Sequence, residues 1–182
     1  MYKLPLLCIV YTFLSGLQIN NNQYITRQGE ISFFSYTTVE DIKAVNNQVL
    51  SIVDISKSEI DISMLMSAFV FEKSLMQQHF NESYIESDIY PKATFEGVIQ
   101  NFDPYFIGTQ NRIIKGSLVI HGISNSIEIK ARIDHGKTNY IFSGRFVVPI
   151  KDYDIKVPTL LAPNIAKTIA ISFRFELAPH KI

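Results

Sequence analysis

Catalysis needs nucleophiles, acids, bases or metal ligands held at a fixed spacing, and this 182-residue chain offers few of them. Glu82, Glu86 and Asp88 gather within NESYIESD. Paired carboxylates do acid–base work only at a set separation inside a cleft, and acidic side chains ordinarily sit at the surface. The cluster therefore reads as a solvated loop. Four histidines, His79, His121, His135 and His180, are scattered, with no H-E-x-x-H pair and no carboxylate spacing typical of a metal site. His121 and His135 each precede a glycine and read as turn residues. His79 has two readings: an exposed helix histidine, or a group that orients the polar end of a ligand. Asp152 and Asp154 flank Tyr153 and read as turn formers. The chain has no G-x-S-x-G elbow, no G-x-G-x-x-G fingerprint and no P-loop. Neither a catalytic residue nor a metal is expected, and the reading is of a protein that is not an enzyme.

What the chain has in quantity is apolar surface. Hydrophobic residues make up 47%, charged residues 19%, and there are 13 Phe, 9 Tyr and no Trp. That composition is globular, and the length suits one domain with a substantial core. A net charge of zero gives no basic footprint for nucleic acid. At the start, Lys3 precedes the apolar run Leu4 to Leu14, followed by the small residues Ser15 and Gly16. Residues 1–19 read as a signal peptide, with cleavage somewhere in residues 15–22, and the run is too short for a membrane span. The competing reading is a buried first strand or helix. The single cysteine, Cys8, lies inside that run, so the mature chain would carry no disulfide and no thiol nucleophile. An exported protein, periplasmic or secreted, follows, with residues 24–180 as its domain.

Strand-like runs fill that domain. Ile127, Ile129, Ala131 and Ile133 alternate with Glu128, Lys130, Arg132 and Asp134, which puts the two sets on opposite faces. The same period gives inward sets Ile114-Gly116-Leu118-Ile120, Phe95-Gly97-Ile99, Tyr140-Phe142-Gly144-Phe146-Val148 and Ile169 to Leu177. Further strands are expected over residues 30–36, 49–55, 58–66 and 68–71. Such half-apolar strands bury one face each, in a closed barrel or in a sandwich; alternation alone does not choose. The inward glycines mark either bends of a closed sheet or interior space. Ser74 to Tyr84 breaks the period: Leu75, Met76, His79 and Phe80 recur at helical spacing, which predicts a short helical lid.

A site for an apolar ligand needs concave apolar walls and a few polar groups. Phe95, Ile99, Leu118, Ile120, Phe142, Phe146, Phe173 and Phe175 supply candidate walls, with Met64 and Met76 as adaptable ones. The competing reading is a filled core, since stripes of Phe and Ile are usually core.

The order of parts resembles the YceI-like family. IDIS (Ile60 to Ser63) leads to LMQQHFNESYIESDIYPKATFEG (Leu75 to Gly97). IKGSLVIHGISNSIEIKARI (Ile114 to Ile133) and VPTLLAPNIAKTIAISFRFEL (Val157 to Leu177) follow. The YPKATFEG block, in register with the glycine-containing hairpin, carries most of the likeness. The resemblance covers roughly residues 30–177. It implies an all-β fold, a lipocalin-like eight-stranded antiparallel β-barrel with a short helical lid. It also implies an exported protein that holds a long-chain polyisoprenoid or similar apolar lipid, such as an isoprenoid quinone, inside the barrel. On that reading the lid residues Met76, His79, Phe80 and Tyr84 close or orient the mouth. No other cofactor and no stable membrane span are expected, and a homodimer is left open. The alternative is an exported scaffold or stress-protection module whose barrel is packed solid.

Overall fold

The computed structural model describes residues 22–36, 41–157 and 166–180. The segment read as a signal peptide lies outside them. The alternating runs form β1 (Gln23–Ser35), β2 (Ile42–Asp54), β3 (Glu59–Leu65), β4 (Val70–Phe71), β5 (Lys92–Ile99), β6 (Gly108–Ile120), β7 (Ile123–His135), β8 (Tyr140–Pro149) and β9 (Thr168–Pro179). Every pairing is antiparallel, in the order β1-β9-β8-β7-β6-β5-β3-β2-β4, and β1 pairs with β2 as well as with β9. That second pairing closes the sheet. β3 lies along Leu50–Asp54 of β2, and the two-residue β4 lies farther along the same strand, on Ala44 and Val45. The two form one interrupted stave, so the barrel has eight, as expected. Closure leaves neither β1 nor β9 at the edge of an open sheet and turns the buried apolar faces inward, which decides between barrel and sandwich.

The period of two is realised in the core. Ile114 and Leu118 of β6, Ile129, Ala131 and Ile133 of β7, Tyr140, Phe142 and Val148 of β8, and Phe173, Phe175 and Leu177 of β9 are all buried. β1 and β6 begin earlier than the pattern suggests, at Gln23 and Gly108. Their first residues, QYITRQG and GTQNR, show little apolar alternation. Ladder partners recruit them instead, as in Tyr24 opposite Val53 and Gly108 opposite His135.

The inward glycines hold rings. A Cβ at Gly97 would fall 2.7 Å from Cε1 of Phe95, and one at Gly144 would fall 2.7 Å from Cε1 of Phe173. Gly29, where β1 shifts register, is likewise covered by the Phe175 ring. Of the two readings of these glycines, interior space is corrected: the aromatic rings occupy it. One half of the barrel is packed solid as a result.

The break between β3 and β4 is built around Asn46. Its fully buried amide donates Nδ2–H to the Leu65 carbonyl at 2.9 Å, and its Oδ1 accepts from the Gln48 N–H at 2.8 Å. These bonds satisfy polar backbone that the interrupted ladder would otherwise leave unpaired. A 3-10 turn, Met66–Ala68, then swings Phe69 and Phe71 into the interior. The lid follows as α1 (Ser74–His79), continuing into a π-helical turn over Phe80–Tyr84. A helix this short is not stable alone, so its position depends on packing. Across the barrel, the β7–β8 ladder runs only from His135–Tyr140 to Ala131–Gly144. Beyond that point a second 3-10 turn, Ile150–Tyr153, lies against β7.

Candidate functional site

A cavity of about 360 Å³ occupies the half of the barrel beneath the lid. The last inward residues of β1, β6 and β8 and the first of β2, β5 and β9 wall it, and in an antiparallel barrel those belong to one end. Ile31, Phe33 and Ser35 come from β1, Ile42 from β2, Met64 from β3 and Ala93 from β5. Leu118 and Ile120 come from β6, Phe146 and Val148 from β8, and Ile169 and Ile171 from β9. Ile150, Ile155 and Val157 wall the side where β7 and β8 part. Met66, Phe69 and Phe71 come from the β3–β4 break; Met76, His79, Phe80, Tyr84 and Ile85 form the roof.

An aromatic cluster ties roof to wall. The Phe33 ring centroid lies 5.3 Å from Phe69, 5.6 Å from Phe71 and 5.5 Å from Phe80, and Phe80 lies 5.0 Å from Phe71. Such contacts add about 0.5–1.5 kcal/mol each beyond the area they bury. Phe80 is thus the residue that seats the lid.

Of the side chains singled out in the sequence, Met64, Met76, His79, Phe80, Tyr84, Leu118, Ile120 and Phe146 line the cavity. Phe95, Ile99, Phe142, Phe173 and Phe175 do not; they are buried in the packed half with Ile114, Tyr140 and Leu177. The physical reason is that alternation fixes which face a side chain takes but not its height along the barrel axis. Phe33, Phe69 and Phe71 were missed. Phe33 alternates inward in SFFS beside an outward Phe34, so no clean period marks it, and Phe69 and Phe71 depend on the interrupted stave.

The polar content of the cavity is small. No Lys, Arg, Asp or Glu is among its described lining residues. Ser35 is only 2% exposed, and its Oγ has no hydrogen-bond partner. Burial raises the pKa of the Tyr84 phenol, which keeps it neutral. His79 sits on the exposed side of α1, at the rim. Among the described residues no group of three or more His, Cys, Asp or Glu side chains could hold a metal, and no helix is long and apolar enough to cross a membrane. The arrangement can enclose an apolar molecule.

The loop after the lid is fastened by polar contacts that correct part of the sequence reading. Glu86 is not simply solvated: its Oε2 lies 3.0 Å from Nε2 of His121, whose Nδ1 lies 3.1 Å from the Tyr153 carbonyl. Tyr90 packs on the His121 ring with centroids 4.3 Å apart. Asn125 Nδ2 donates to the Asp152 carbonyl at 2.7 Å. Lid loop, β6–β7 turn and the 150–153 turn are thereby joined beside the cavity.

Solved structures share this architecture. A polyisoprenoid binding domain from Saccharophagus degradans, implicated in plant cell wall breakdown, superposes with a TM-score of 0.76 at 12% identity over 87% of this chain and 99% of its own. BcnA of Burkholderia cenocepacia gives 0.67 at 15% identity, over 82% and 96%. The YceI protein of Campylobacter jejuni gives 0.58 at 17% identity, over 100% and 92%. At these identities the likeness is one of fold. Comparison with curated proteins finds no match. The model of the YceI-like domain matches residues 22–177, from the start of β1 to Leu177 of β9 with the lid between, and the chain belongs to the YceI-like family.

Proposed function

We propose that this protein binds an apolar lipid of the polyisoprenoid kind in the cavity beneath the lid and carries or sequesters it without chemical turnover. One observation carries the reading: half of the barrel is filled by aromatic rings, while the other half keeps a cavity of about 360 Å³ walled by Ile, Leu, Met, Phe and Val. A solid scaffold would have no reason to keep that space. Each ligand methylene removed from water gains about 0.8 kcal/mol, and a preformed cavity limits the ordering cost set against it. The polyisoprenoid binding domain of similar fold supports the ligand class. The Leu4 to Leu14 run supports export, which would place the carrier in the periplasm or outside the cell.

Native mass spectrometry of the purified protein, followed by organic extraction, tests the reading. The expected result is a stoichiometric prenyl lipid or isoprenoid quinone that is absent from Ala93→Phe, a variant that fills the cavity from β5. The reading fails if the wild-type protein is empty and also refuses added prenyl lipids; the barrel is then a scaffold, and its partners are proteins.

A further inference from the structure

We propose that His121 is a proton-operated latch on the lid. Its ring carries a proton on both nitrogens while it bridges Glu86 and Tyr153, and the lid loosens when rising pH removes the second one. The device lies outside the cavity and does not depend on what the cavity holds.

The two neighbours of the ring fix its charge. Nδ1 faces the Tyr153 carbonyl at 3.1 Å, and Nε2 faces Oε2 of Glu86 at 3.0 Å. A carbonyl only accepts a hydrogen bond, and so does a carboxylate. A neutral imidazole has one N–H and one lone pair, so it satisfies one of these partners and sets lone pair against lone pair at the other. The imidazolium alone bonds both. Glu86 keeps 46% of its side chain in water, where a carboxyl is ionised at neutral pH. The imidazole keeps only 9%, so little water can replace a lost partner.

Turn chemistry does not account for a histidine here. His121 and Gly122 are the two residues between β6 and β7, with φ of 52° and 74°. A two-residue hairpin turn of that kind favours Asn or Asp before the glycine. Glu86 and Asp154, the residue that ends the 150–153 turn, also take left-handed φ, 49° and 50°. Such backbone is costly for a residue with a Cβ and persists where surrounding contacts hold it. Each of the three elements that meet at the ring carries one.

The link to the lid is short. Tyr84 and Ile85, directly before Glu86, belong to the cavity roof, and Ile150 and Ile155, on either side of Tyr153, wall the side where β7 and β8 part. Glu86 is the charged group bonded to the ring. Asp88 stands on the same loop, Lys92 begins β5, and Lys151, Asp152 and Asp154 stand on or beside the turn. The hairpin's own Lys115 and Glu128 pair with each other at 2.7 Å. Tyr90, packed on the imidazole, and Tyr153, whose pKa burial pushes up, are phenols that stay neutral where histidines titrate. A proton held by the closed lid and not by the open one closes the lid as pH falls and frees it as pH rises.

Hydrogen exchange of residues 74–90 in the purified protein at about pH 5.5 and about pH 7.5, corrected for intrinsic exchange, tests the latch across the range in which histidines change charge. The core amides of β6 and β7 serve as the internal reference. Relative to them, lid protection should fall roughly three- to tenfold at the higher pH, the worth of one hydrogen bond. Glu86→Gln should flatten the profile, because an amide donates to a bare Nε2 and accepts from a protonated one. His121→Asn, which suits the turn, should leave the lid equally loose at both pH values. Long-range proton–nitrogen NMR spectra should show both ring nitrogens protonated at the lower pH and one at the higher. Equal lid protection of the wild-type protein at both pH values overturns the latch, and so does an Nε2 that is bare at the lower pH. A pH dependence that survives Glu86→Gln in full assigns the effect to another group and overturns it as well.

Discussion

His121 and Glu86, separated by 35 residues, meet with Nε2 and Oε2 3.0 Å apart, and the imidazole so held is nearly enclosed. A carbonyl only accepts, so the Nδ1 that faces the Tyr153 oxygen carries a proton. The ring therefore joins the lid loop to the 150–153 turn from its own place at the β6–β7 hairpin. It sits there because Gly122 takes a left-handed φ of 74°, and Tyr90 covers the glycine closely enough that a Cβ would fall 2.8 Å from its ring.

Removing this pin should loosen the lid before it unfolds the barrel. His121→Ala leaves the Tyr153 carbonyl and Glu86 without their partner, and the expected loss is about 1–3 kcal/mol. Hydrogen exchange should quicken across residues 74–90 more than across β6 or β7. Unchanged exchange in that segment would mean the contact does not position the lid.

The opposite end of the barrel is tied by a different polar bond. Tyr140 is 1% exposed and its hydroxyl donates to the Pro104 carbonyl at 2.6 Å. Burial, aided by Tyr24 and then Asp103, pushes its pKa up to about 12. The folded value lies above the unfolded one, so stability is whole below about pH 10 and falls as the pH rises towards 12, by on the order of 2 kcal/mol. Tyr140→Phe should cost about 1 kcal/mol at neutral pH through the lost bond and should flatten the alkaline decline. Denaturant titrations of both proteins at pH 8 and pH 11 check this; parallel declines would refute it.

Gly116→Ala probes the packed half. The new Cβ would lie 2.6 Å from Cζ of Phe95 and 2.7 Å from the Gly97 Cα, and it would also press on the Glu96 carbonyl. Two of those three neighbours are backbone on the adjacent strand, so they cannot swing aside as a side-chain end could. Overpacking of this kind costs about 1–3 kcal/mol. A denaturation midpoint within error of wild type would show that the ring is not wedged there.

These contacts mark where sequence pattern stops being informative. Ile127 to Asp134 declares its inward face without ambiguity because a strand has only two faces, and β7 follows it. The helical spacing of Met76 and Phe80 likewise located the lid. Height along the barrel is another matter: Phe146 lines the cavity and Phe142, on the same face of the same strand, does not. That difference arises from the lid and the aromatic plug, which are tertiary facts. Ser35 gave no signal, because a serine near the end of an apolar strand looks like any turn approach. The Glu86–His121 pair was equally invisible, since its members lie in two loops that only closure of the barrel brings together.

Phe80→Ala tests whether the lid retains the ligand. The Phe80 ring touches Phe33, Phe69 and Phe71, so its loss both uncouples α1 from the wall and opens the roof. Because the side chain is only half-buried, the stability cost should fall near the lower end for such truncations, about 2–3 kcal/mol, leaving the barrel folded. Affinity differences of this kind appear mainly in dissociation. Release of a bound prenyl alcohol should therefore quicken by roughly tenfold or more in a stopped-flow displacement, with association little changed. Phe142→Ala, in the packed half, serves as the matched truncation: it should destabilise at least as much and leave release closer to wild type. If the two variants release ligand equally fast, retention follows global stability and the lid has no separate part in it.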